Sequence, residues 1–154
     1  VKVAKDHYER AAKLDHPVAQ FYLANLLGKE DYEKSVSWCQ KSADLGYAPA
    51  QVKFAIMIQA KDAETSVKYL EKACQQGHDA AIYHLAKRYL AGDGVPLDKA
   101  KGNNLMEQAA KKGNAQAQYE FGYLVQDNKT KWEMYEKAAQ NGVAEAQYNI
   151  GFAI

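Results

Sequence analysis

Proline is scarce in this chain, three in 154 residues, and cysteine is scarcer still, with two. So few prolines leave long stretches free of the strongest helix breaker. Two cysteines, at Cys39 and Cys74, cannot build the disulfide framework of a small secreted domain, and they are expected to be buried small apolar residues. No run of about 18 apolar residues exists to span a bilayer, so no membrane insertion is expected. Charge of one sign is missing too: 20 Lys and Arg stand against 19 Asp and Glu, a formal net charge of +1. Such a balance supplies no field to gather nucleic acid or anionic lipid, and neither is expected as a partner. Position 1 opens directly on a helical pattern, without the basic stretch, apolar core and small-residue cleavage site of a signal peptide. The localisation is left unassigned.

What the chain does have is repetition. Five times a helix closes on a pair of small residues and the next reopens seven residues later on an alanine, at Ala12/Ala19, Ala43/Ala50, Cys74/Ala81, Ala110/Ala117 and Ala139/Ala146. Successive pairs lie 31, 31, 36 and 29 residues apart. That period belongs to stacked helical hairpins, in which each repeat buries its apolar face only against its neighbours.

Within each unit the first helix, A, is apolar at the anchor and four further on, small at five and large at eight. Ala19, Leu23, Ala24, Leu27 fit, as do Ala50, Phe54, Ala55, Ile58; Ala81, Leu85, Ala86, Tyr89; Ala117, Phe121, Gly122, Val125; and Ala146, Ile150, Gly151, Ile154. At about 100° per residue these positions make one packing stripe. The second helix, B, has an aspartate twelve residues before its anchor in four units: Asp31, Asp62, Asp98 and Asp127. Each is placed to cap the helix, its carboxylate accepting backbone N–H bonds at the positive end of the dipole. Gly46, Gly77, Gly113 and Gly142 follow the anchors and are expected to end helix B in the left-handed conformation.

The third unit carries the string YLAGDGVPLDKAKGNNLMEQAAKKG, Tyr89 to Gly113. With the alanine-rich helix A and the AAxxG ending of helix B, it resembles the Sel-one-like repeat family, relatives of tetratricopeptide proteins. The resemblance covers essentially the whole chain and implies an all-α, right-handed α/α solenoid of antiparallel hairpins. The expected layout is a single repeat domain, 1–154: the end of a helix B at 1–15, complete repeats at 16–46, 47–77, 78–113 and 114–142, and helix A of a further repeat at 143–154. Units one, two and four depart from the pattern, with three, three and one residues between helix A's last core position and the capping Asp where unit three has eight. Polar capping repeats normally cover a solenoid's ends. None is recognisable here, so the chain is expected to be a segment of a larger array or to have its ends covered by other chains.

Signals of chemistry are poor. His7, His16, His78 and His84 form no metal-like spacing with Cys, Asp or Glu, so no metal is expected. Some bacterial members of the resembled family are associated with β-lactam binding, but no serine here precedes a lysine by three positions. AGDGV lacks the strand before it and the GK[ST] ending that phosphate cradling needs. No catalytic residue and no cofactor are expected. Asn128-Lys129-Thr130 is a glycosylation sequon in the tightest A-to-B connection, where a glycan would compete with the helix cap.

The remaining signal is the face of helix A away from its stripe, two, three and six residues past each anchor. It reads Phe21, Tyr22, Asn25; Val52, Lys53, Ile56; Tyr83, His84, Lys87; Tyr119, Glu120, Tyr123; and Tyr148, Asn149, Phe152, a ladder of aromatic steps with a few charges. In it Phe21, Tyr22, Tyr83, Lys87, Tyr119, Tyr123, Tyr148 and Phe152 are the expected partner-binding residues. Amphipathic rings of this kind bury large areas at low entropic cost and are favoured at protein interfaces. The expected function is a non-enzymatic scaffold or adaptor that takes a protein or peptide partner, laid along the concave groove as a peptide or helix. Alternatives are a spacer that self-associates end to end and, by resemblance alone, a β-lactam-binding or hydrolytic protein.

Overall fold

A computed structural model describes residues 2–28 and 30–153, with side chains as far as Gly151. The described residues form ten α-helices and no strand, in two compact units, Val1–His78 and Asp79–Ile154. The first holds α1 (Lys2–Ala12), α2 (Pro17–Leu27), α3 (Tyr32–Asp44), α4 (Ala48–Ile58) and α5 (Ala63–Gln75); the second holds α6 (Asp79–Ala91), α7 (Lys99–Lys111), α8 (Ala115–Leu124), α9 (Asn128–Gln140) and α10 (Ala144–Ala153). Within each unit every helix packs against its neighbours in the chain. Even-numbered helices are the A helices and odd-numbered ones the B helices.

The packing stripe lies where its period places it. Ala19, Leu23, Ala24 and Leu27 are buried in α2, Ala50, Phe54 and Ala55 in α4, and Ala81, Leu85, Ala86 and Tyr89 in α6. Unit four differs at its end. With one residue before the next capping Asp, α8 must stop early, so Val125 is not helical but an extended C-cap (ψ 143°). Small residues in the stripe answer to close neighbours: a Cβ added at Gly122 would stand 2.9 Å from the Tyr135 ring.

The four aspartates cap their helices through side-chain oxygens that accept from the backbone N–H three residues on, at Lys34, Thr65, Lys101 and Thr130. Hydrogen bonding holds the carboxyls of Asp31, Asp62 and Asp127 below their ordinary pKa. Gly46, Gly77, Gly113 and Gly142 adopt positive φ, and at the matching place after α1 the chain puts Asp15, at φ 57°. That is a left-handed conformation without glycine's freedom, at some cost. Cys39 and Cys74 are free. Burial raises both thiols to about 11.

A polar clip joins each of four B helices to the following A helix. Glutamine one past the anchor donates from Nε2 to the anchor carbonyl of the preceding helix: Gln20 to Ala12 (3.1 Å), Gln51 to Ala43 (3.2 Å), Gln118 to Ala110 (3.2 Å) and Gln147 to Ala139 (3.0 Å). Two of these amides are also met on the oxygen side, Gln51 by Gln76 (2.9 Å) and Gln118 by Asn141 (3.0 Å), each donor being the C-cap of the next B helix. At that place α3 has Leu45, and Gln20 Oε1 is buried without a hydrogen-bond partner.

Candidate functional site

Helix geometry decides which residues of the A-helix face reach solvent. With the anchor at 0°, the stripe centres near 70°; six past the anchor falls at about 240°, almost opposite, whereas two and three past fall on the flanks at about 200° and 300°. The six-past residues Asn25, Ile56, Lys87 and Tyr123 are all exposed. The two-past residues divide: Val52 is buried, Phe21, Tyr83 and Tyr119 are half-buried, and Tyr148 is exposed. Tyr22, three past, is exposed, and the side chain of Phe152 lies outside the described residues.

In the first unit Tyr22 stacks on Tyr8 (centroids 5.5 Å apart), and Phe21 meets the edge of Tyr47 at 5.4 Å. Lys53 lies 5.8 Å from the Phe21 ring and donates to Asn25 Oδ1. These rings are engaged with their own unit. A separate groove of about 480 Å³, which the sequence did not suggest, lies between α3 and α4 and is lined by Tyr32, Val36, Phe54, Met57 and Ile58 among others.

The second unit brings most of the expected residues together. The Tyr83 hydroxyl donates to Glu120 Oε1 at 2.6 Å, and Lys87 Nζ approaches the same oxygen at 3.4 Å. Burial, then the bond to Glu120, pushes the Tyr83 pKa well up, so the phenol stays a donor. Tyr119 leans on Tyr135 at 5.6 Å, and its hydroxyl accepts from Asn149 Nδ2 at 3.5 Å. Burial, followed by the nearby Arg88 and Lys87, lowers the His84 pKa. Two cavities adjoin along this face and share Tyr119. One, about 310 Å³, is lined by Leu90, Tyr119, Glu120, Tyr123 and Leu124; the other, about 510 Å³, by Tyr119, Ala144, Glu145, Tyr148 and Asn149. Tyr123 is 74% exposed and Tyr148 66%. Glu120 and Asn149, three past their anchors on the expected face, line these cavities, and so does Glu145, which lies one before its anchor and outside the positions the repeat pattern singled out.

Polar residues elsewhere serve the fold. His16 caps α2 by accepting from Ala19 N at 3.3 Å. No cluster of His, Cys, Asp and Glu among the described residues could hold a metal ion, and no helix among them is long and apolar enough to cross a membrane. Asn128 is exposed at the first position of α9, beside an Asp127 carboxylate that accepts from both the N–H and the hydroxyl of Thr130.

No curated protein matches the sequence. Among solved structures, a protective antigen of uropathogenic Escherichia coli with an SLR fold is 25% identical with a TM-score of 0.86, the alignment covering 94% of this chain and 35% of the antigen. This chain thus spans about a third of that protein's length. A Sel1 repeat protein from Oxalobacter formigenes shares the fold (TM-score 0.88, 22% identity, 94% and 64% of the two chains). An immunity protein from Pseudomonas aeruginosa is also similar, at 25% identity and a TM-score of 0.66 over 94% of this chain and 58% of that one. The Sel1 repeat model matches residues 2–16, 17–47, 57–78, 79–114 and 132–143, which is most of the sequence. Repeat by repeat, the chain belongs to the Sel1 repeat family.

Proposed function

We propose that this chain is a non-enzymatic protein-binding scaffold whose contact surface is the A-helix face of the second unit. The observation that carries the reading is the pair of adjoining cavities around Tyr119, edged by the exposed rings of Tyr123 and Tyr148. Large rings held in water by a rigid helix lose little entropy on binding and gain much burial, which is how interface anchors work. In the same unit the Tyr83 hydroxyl bonds to Glu120 at 2.6 Å and orients that carboxylate before any partner arrives. Similarity to an immunity protein is in keeping with a binding role.

Site-specific photo-crosslinking in cells tests it. A benzophenone side chain at position 123 or 148 should capture one discrete protein, while the same group at the exposed B-helix position Lys72 should not. Equal capture at all three positions, or capture at position 72 alone, would move the binding surface elsewhere.

A further inference from the structure

The two cavities of the second unit have the same make-up: tyrosine walls and one carboxylate. Glu120 is the charged residue lining the first and Glu145 the charged residue lining the second. The two bonds made to Glu120, from Tyr83 and Lys87, both fall on Oε1, so its other oxygen is engaged by neither. Tyrosine faces carry the negative part of the ring quadrupole and attract cations, and a carboxylate beside such a face adds to the same preference. The chain itself displays the arrangement: Lys87 sits on the Glu120 carboxylate with its ammonium 5.6 Å from the Tyr83 ring. Resting on the reading of this face as a protein-binding surface, we infer that its partner is a basic peptide segment whose Lys or Arg side chains enter the two tyrosine–carboxylate cavities around Tyr119. A neutral apolar segment would take from water the Glu120 oxygen that neither Tyr83 nor Lys87 engages, and the Glu145 carboxylate with it, and would offer neither a donor, which is unfavourable. An acidic segment would set like charges together. Lys87 is on this view an internal competitor that holds Glu120 until the ligand's cation takes its place.

The test uses three amidated 12-residue peptides of one scaffold, carrying four arginines, four glutamines or four glutamates, titrated into the intact chain with tyrosine resonances followed by NMR. The arginine peptide should bind roughly ten-fold tighter than either of the others and shift Tyr119, Tyr123 and Tyr148. Glu120→Gln, its fold checked by a melting curve, should weaken that binding by about ten-fold, while Lys87→Gln should strengthen it several-fold. Should Glu120→Gln fail to fold, the sign of the Lys87→Gln effect decides alone. Tighter binding of the glutamate or glutamine peptide at the same tyrosines, or weakening by Lys87→Gln, overturns the cationic partner while leaving the face a binding surface. Absence of tyrosine shifts with all three peptides overturns both.

Discussion

Replacing Leu45 by glutamine should stabilise the first unit. Leu45 occupies the C-cap of α3 with φ −77° and ψ 3°, nearly the backbone of Gln76 (−84°, 1°) and Asn141 (−87°, 9°) at the ends of α5 and α9. Those two residues donate to the oxygens of Gln51 and Gln118; Gln20, the equivalent amide, has its oxygen buried and unpartnered. A buried acceptor without a donor costs about 1–3 kcal/mol, and a new hydrogen bond returns a net 0.5–1.5 kcal/mol or so. Little apolar burial is given up, because Leu45 is 50% exposed and glutamine keeps the first methylenes. Ordering the new side chain offsets part of the gain. The expected stabilisation is about 0.5–1.5 kcal/mol, a rise of roughly 1–6 °C in melting temperature for a chain of this size. Circular dichroism melts of Leu45→Gln in the wild-type and Gln20→Met backgrounds form a double-mutant cycle that isolates the pair. An equal effect of Leu45→Gln in both backgrounds would refute the reasoning, because the gain would not then depend on the Gln20 oxygen.

Three further outcomes follow from the same geometry. Asp15→Gly should raise stability by up to about 1 kcal/mol in urea unfolding, since it relieves a left-handed backbone (φ 57°) where later repeats use glycine. Gly122→Ala should lower it by about 1 kcal/mol or more, because the added Cβ meets the Tyr135 ring, whereas Gly151→Ala, with nothing within 4 Å of the added Cβ, should be neutral or stabilising in the same assay. The capping carboxyls of Asp31, Asp62 and Asp127 are depressed in the folded chain, so their contribution is present above the unfolded aspartate value near 3.9 and is lost as pH falls through the folded values. Melts from about pH 6 to about pH 2 should show that loss, and Asp31→Asn/Asp62→Asn/Asp127→Asn should flatten it.

The parts of this molecule that repeat were readable from residues alone. Asp31, Asp62, Asp98 and Asp127 cap because a carboxylate at a helix start has one favourable partner set, the nearby backbone N–H groups, and needs no distant residue to act. The stripe from Ala19 to Leu27 and its counterparts follows from helical period. Val125 departed from it because connection length, not period, ends a helix. The glutamine clip was visible as the recurring Ala-Gln pairs at 19–20, 50–51, 117–118 and 146–147, yet polar residues beside an anchor suggest a solvated flank unless the carbonyl they meet is known. The ladder of rings was least legible. Tyr83 and Tyr119 share the two-past position with Tyr148, and only packing by the neighbouring helix separates half-buried rings from the exposed one. Angle would have singled out the six-past position, where Tyr123 stands nearly opposite the stripe.

Whether the exposed tyrosines serve binding or packing is tested most directly by calorimetric titration of the protein captured at position 123 into wild-type chain and into Tyr123→Ala, with melting temperatures measured on the same samples. Because Tyr123 is 74% exposed, its truncation should leave the melting temperature nearly unchanged and weaken binding by about 1–2 kcal/mol, roughly ten-fold. Unchanged affinity in a folded Tyr123→Ala, or a large drop in its melting temperature, would contradict the account.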